Sequence, residues 1–137
     1  TQLYHLDRSG REFTKAFHRE GEFTGAHAAA ATGTPATFSI RLLEDARLTR
    51  LRFADLDALA EREPVVQLYL RRTAERLFWF KERRELLLLT QTATERYLQL
   101  LRDAPWLVER VRQKDLATYL GITEVSLSRL RGRMGTD

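Results

Sequence analysis

The side chains best suited to chemistry lie close together near the end of the chain. Thr123, Glu124, Val125, Ser126, Ser128, Arg129 and Arg133 fall within eleven positions, and across residues 124–134 Arg129, Arg131 and Arg133 stand against Glu124 alone. None of these is a strong nucleophile or a base poised near neutrality. Their chemistry is recognition: serine hydroxyls donate and accept, and arginine offers a planar fork of N–H donors that fits a guanine edge or a phosphate. Val125 has no hydrogen-bonding group and can at best pack against a methyl such as that of thymine.

The surrounding sequence predicts how this set is held. Residues 112–134 read as a helix, a tight turn and a second helix. Leu116 and Leu120 make the first helix's apolar face, and the small Ala117 permits close helix–helix approach. Gly121 can adopt the left-handed conformation that ends a helix. Ile122 plugs the corner, Thr123 is a good N-cap, and Leu127, Leu130 and Met134 form the second helix's buried stripe. Glu124, Val125, Ser126, Ser128, Arg129 and Arg133 then remain outward. A helix-turn-helix lays the N-terminal half of its second helix against base edges in a DNA major groove. The competing reading is an ordinary helical hairpin with a solvated, arginine-rich end.

Upstream, Pro64 can open a helix because a first-turn proline loses no needed hydrogen bond, and nothing breaks the pattern until about Leu89. Leu70, Ala74, Leu77, Phe80, Arg84 and Leu87 alternate by steps of three and four, a heptad-like seam. A helix of ~25 residues spans about 37 Å, too long for a small domain to cover. The seam Leu70, Ala74, Leu77, Phe80 and Leu87 is expected to pair with a second copy. Val65, Tyr69, Trp79 and Leu86 make the opposite face apolar as well. Ala54 to Arg62 reads as a short helix before it. Thr92 and Thr94 are candidate caps for a helix from Glu95 to Arg102, which Pro105 ends.

The first third reads as strands and turns: Leu3–Leu6 and Glu12–His18 around a polar Asp7–Gly10 turn, then Thr37–Ile40 and Leu48–Phe53, both alternating at period two. Short strands at this spacing predict a barrel or sandwich, so the fold class expected is α+β.

Composition limits the rest. The chain has 137 residues, 43% hydrophobic and 31% charged, an ordinary balance for a globular domain. No apolar run reaches the ~18–20 residues of a membrane span, and no signal peptide is visible, so a cytoplasmic protein is expected. The absence of cysteine removes disulfides, thiolate metal sites and cysteine nucleophiles. Net charge is +4, and the excess falls after residue 60. His5, His18 and His27 read as surface or hydrogen-bonded histidines, and no metal site, Gly-rich phosphate loop or catalytic triad order is found. No enzyme, metal or cofactor is expected.

Four motifs carry a family resemblance. Gly21-Glu22-Phe23-Thr24-Gly25 resembles the G-E-F-x-G barrel motif of the catabolite-activator and fumarate–nitrate regulator (Crp/Fnr) superfamily. Thr94-Glu95-Arg96-Tyr97-Leu98 resembles its E-R-Y-L entry to the DNA-binding domain. Gln113-Lys114-Asp115-Leu116-Ala117-Thr118-Tyr119-Leu120-Gly121-Ile122-Thr123 and Leu127-Ser128-Arg129-Leu130-Arg131 resemble its Q-K-x-I-A-x-Y-L-G-I-T and L-S-R-I-R segments. The resemblance implies a partial cyclic-nucleotide-binding-type β-roll over 1–53, a short helix and a long dimerisation helix over 54–91, and a winged-helix-like helix-turn-helix over 92–137. It implies a dimeric transcription regulator whose partners are duplex DNA, a second copy and RNA polymerase, with no membrane.

Four departures qualify it. The β part is about half the family's sensor length, as though the chain began in mid-barrel. The nucleotide cassette, matched to Gly25, Ala26, Ala36 and Thr37, lacks the Arg that grips the cyclic phosphate, and a phosphate without its Arg loses a charge-assisted pair. Cyclic AMP binding in the family's usual mode is therefore not expected, and the effector is unknown. Val125 replaces a base-reading Glu, and the sequence ends before the family's β-wing. The alternative function is a dimeric signalling or scaffold module that no longer reads DNA.

Overall fold

The structure, a computed structural model, describes residues 1–135. Among them it is mixed α+β, with a small three-stranded antiparallel sheet and seven helices, one of them long. The chain forms two compact units. One joins Thr1–Ala46 to the segment from Gln91 onward; the other is Arg47–Thr90. The β segment and the C-terminal helices, expected as separate domains over 1–53 and 92–137, thus share one unit. The physical reason is that a single sheet buries a face only by packing it on another element, and a C-terminal helix closes it.

In that first unit, β1 (Gln2–Leu6) pairs with β2 (Glu12–Phe17) on one side and β3 (Ser39–Arg41) on the other. The β1–β2 turn follows from its residues. Asp7 accepts hydrogen bonds at one carboxylate oxygen from the Ser9 and Arg11 amides, at 2.8 and 2.9 Å, and Gly10 takes a positive φ of 79°. A bulge lies between Leu3 and Tyr4. After Gly25-Ala26, the alanines at 28–31 lie in a short helix, α1 (His27–Thr32). The sequence-predicted strand Leu48–Phe53 is absent: residues 48–52 carry no regular structure and Phe53 begins a helix. Leu48 and Leu51 are both exposed, so the alternating pattern there has no covered face to reward strand formation.

The C-terminal helices of this unit are α4 (Ala93–Asp103), α5 (Trp106–Arg110), α6 (Gln113–Tyr119) and α7 (Glu124–Met134). Their core is one cluster of Tyr97, Leu100, Leu107, Val111, Leu116, Ala117, Leu120, Leu127 and Leu130. Of the two threonines offered as caps, Thr92 is used. It forms a capping box in which its side chain accepts from the Glu95 amide and the Glu95 carboxylate accepts from the Thr92 amide at 2.8 Å.

The second unit is formed by two consecutive helices, α2 (Phe53–Arg62) and α3 (Pro64–Thr90), in contact with each other. The long helix begins at the expected proline and buries no residue completely. No helix among the described residues is long and apolar enough to cross a membrane.

Candidate nucleic-acid interface

The α6–α7 corner is built by backbone hydrogen bonding that the sequence makes possible. The Ile122 amide donates to the Ala117 carbonyl at 3.0 Å and the Gly121 amide to the Thr118 carbonyl at 3.2 Å. These are the paired bonds of a Schellman ending, and they require a left-handed residue between them. Gly121 supplies it at φ 71°; a side chain there would cost about 1–2 kcal/mol. The next helix starts two residues later. Thr123 accepts from the Ser126 amide at 3.2 Å, and the two hydroxyls lie 2.8 Å apart. Ser126 is therefore partly drawn into the cap, which leaves Ser128 as the serine hydroxyl without that engagement.

With about 3.6 residues per turn, the eleven residues of α7 divide into two faces. Leu127 is fully buried, Leu130 nearly so and Met134 half-buried against the core. Glu124, Val125, Ser126, Ser128, Arg129 and Arg133 are all exposed, as is the cap Thr123. Arg129 and Arg133, one turn apart, have no ion-pair partner among the described residues. The helix dipole adds partial positive charge at the α7 N-terminus. The result is a convex ridge with a cationic edge, and nothing on it resembles a reaction site.

Several residues that position this ridge were not singled out by sequence reasoning for that role. Arg96 donates through Nε to the Leu120 carbonyl at 2.9 Å and through Nη1 to the Gln91 carbonyl, so it ties α4 to the end of α6. The Thr94–Leu98 motif thereby gains a physical meaning: Glu95 caps, Arg96 ties and Tyr97 fills the core. On the other side of α6, β2 docks through polar groups. Thr14 and Thr118 hydroxyls lie 2.7 Å apart and both meet the Asp115 carbonyl, at 3.2 and 2.9 Å, while Gln2 Nε2 donates to Thr14 at 2.8 Å. Gln2, Thr14 and Asp115 are buried, and Asp115 accepts from Arg112 Nε at 2.8 Å. Phe17 and Tyr119 add a ring contact at 5.3 Å. Polar residues scattered in strands give no periodic signal, which is why the pattern alone does not reveal this junction.

A second tie is electrostatic. Arg110, at the end of α5, forks between Glu20 and Glu44, with closest distances of 2.7 and 2.6 Å. These hydrogen bonds hold the Glu20 carboxyl down to about 2 and lower that of Glu44, and they raise Arg110. Glu12 is lowered in the same way by Arg41. A cleft of about 170 Å³ lies beside them, lined by Arg41, Leu42, Leu43, Arg110 and Arg112; each of its arginines is already paired with a carboxylate.

The remaining sequence candidates are dispersed. Gly25 and Ala26 precede α1, whereas Ala36 and Thr37 follow it and are exposed. The Thr37 carbonyl lies 2.8 Å from His5 Nδ1. His18 is half-buried, and desolvation lowers its pKa; His27 opens α1. Among the described residues no group of three metal-ligating side chains comes together.

Along α3 the expected seam is uneven. Leu70, Leu77 and Leu87 are half-covered, whereas Ala74 and Phe80 are exposed. Val66, Leu70, Thr73 and Leu77 form the partly covered stripe of the half nearest α2. Val65, Tyr69, Trp79 and Leu86 lie open on the other side, Val65 at 70% and Trp79 at 52%. Arg83 lies over the Trp79 ring at 5.2 Å and Arg76 over Phe80 at 5.4 Å.

No family model matches the chain, and no curated protein matches it.

Proposed function

We propose that the chain is a dimeric, sequence-specific DNA-binding regulator of the Crp/Fnr type that does not respond to cyclic AMP in that family's usual way. The observation that carries this reading is the α6–α7 corner. A left-handed glycine, a capped second helix and a buried leucine stripe present Val125, Ser128, Arg129 and Arg133 outward. That is the geometry with which a helix enters a major groove. The four sequence motifs support the family assignment, with its β-roll and winged-helix elements. The exposed apolar length of α3 supports pairing with a second copy. The missing arginine at Ala36 is the reason for setting cyclic AMP aside; RNA polymerase is proposed as a partner on the resemblance alone.

The test is selection of bound sequences from a random duplex pool by the purified chain, followed by a salt titration on the recovered duplex. A regulator enriches a two-fold symmetric sequence and loses affinity steeply with salt, as displaced counterions require. A scaffold module enriches nothing and shows almost no salt slope.

A further inference from the structure

Gly132 is a glycine that the fold does not need. It sits inside α7 with ordinary helical backbone, since the positive-φ glycines are Gly10, Gly21, Gly33, Gly121 and Gly135. The helix ends at Gly135, which takes the left-handed cap itself. A methyl group built at Gly132 would meet nothing within 4 Å. Neither turn geometry nor internal crowding therefore accounts for it, while glycine within a helix is less favourable than alanine because it loses more backbone freedom on folding.

Its place on the helix supplies the reason. Gly132 lies one turn beyond Ser128 and two turns beyond Val125, in the middle of the exposed face. Arg129 and Arg133 line one side of that strip. Resting on the DNA-binding reading above, we infer that Gly132 is a positioning residue that lets a phosphate strand lie directly against the α7 backbone. The absent side chain lets the strand pack against the backbone beside the Arg133 guanidinium, whose flexible stem can follow the strand. A methyl group would hold the strand off the helix without removing any charge, so affinity would fall while the number of displaced counterions stayed the same.

The experiment compares the full chain with Gly132→Ala and Gly132→Gln on two probes, the duplex recovered from the random pool and a random-sequence duplex. Thermal unfolding is followed in parallel. The expected result is that Gly132→Ala melts at the same temperature or higher and binds both probes about tenfold more weakly, equivalent to ~1.4 kcal/mol. Gly132→Gln should bind more weakly still, and both variants should keep the parent salt slope. Equal binding by parent and Gly132→Ala overturns the inference and leaves the DNA-binding reading standing. A Gly132→Ala variant that fails to fold also overturns it, because the glycine would then serve the fold. A parent chain that binds neither duplex overturns both.

Discussion

Tyr97 sits at the centre of the cluster that holds α6 and α7, and its ring is fully buried. Its hydroxyl has no hydrogen-bond partner among the described residues. A buried hydroxyl left unpaired costs about 1–3 kcal/mol, whereas the ring's packing is independent of it. Tyr97→Phe keeps the ring and removes the oxygen. The variant should therefore be more stable than the parent by about 1 kcal/mol, the opposite sign from most core substitutions. In a unit of roughly 60–100 residues that raises Tm by about 4–8 °C. Trp106 packs on the same cluster, so its fluorescence can report this unit alone in a Trp79→Phe background. Leu127→Ala in that background supplies the contrast: a fully buried leucine lost from the same cluster should cost about 2–5 kcal/mol. Loss of 1 kcal/mol or more in Tyr97→Phe would refute the reasoning, because it would mean that the hydroxyl is satisfied.

The other predictions concern the ridge, the long helix and the acid limb. Arg129→Ala should relax base preference at one position of each half-site at a cost of ~1–3 kcal/mol, read by repeating the sequence selection. Arg133→Ala should weaken all duplexes alike and flatten the salt slope by about one. Phe80→Glu should give monomers by light scattering and weaken DNA binding. Phe80 is the better choice than Leu77, which is already half-covered, and an unchanged dimer would remove the seam from the argument. The Glu20 and Glu44 carboxyls are depressed in the folded chain by Arg110. Their stabilisation is therefore present above the ordinary carboxyl value of 4.5 and lost as pH falls toward about 2. Urea midpoints should fall across that window, and Arg110→Gln should fall less; equal slopes in both proteins would rule out the fork as the cause.

How much was legible in the sequence depended on how local each cause is. The α6–α7 corner could be read almost residue by residue because Gly121, Thr123 and the Leu127–Leu130 spacing each act within one or two turns of backbone. The long helix from Pro64 was legible for the same reason: its start signal and lack of breakers are properties of consecutive residues. The hairpin around Asp7–Gly10 likewise follows from one carboxylate and one glycine. The sequence therefore determined these elements, and with them the face that presents Arg129 and Arg133. What only the tertiary structure decided was which elements share a core. An alternating run such as Leu48–Phe53 becomes a strand only if it pairs with another strand and covers a face, and residues 48–52 pair with none while Leu48 and Leu51 stay exposed. The docking of β2 on α6 through Thr14, Thr118 and buried Asp115 joins residues about a hundred positions apart. The Arg110 fork to Glu20 and Glu44 spans 90 and 66 positions. Such contacts leave no periodic trace, because polar pairing depends on distance in space while sequence patterns record only distance along the chain.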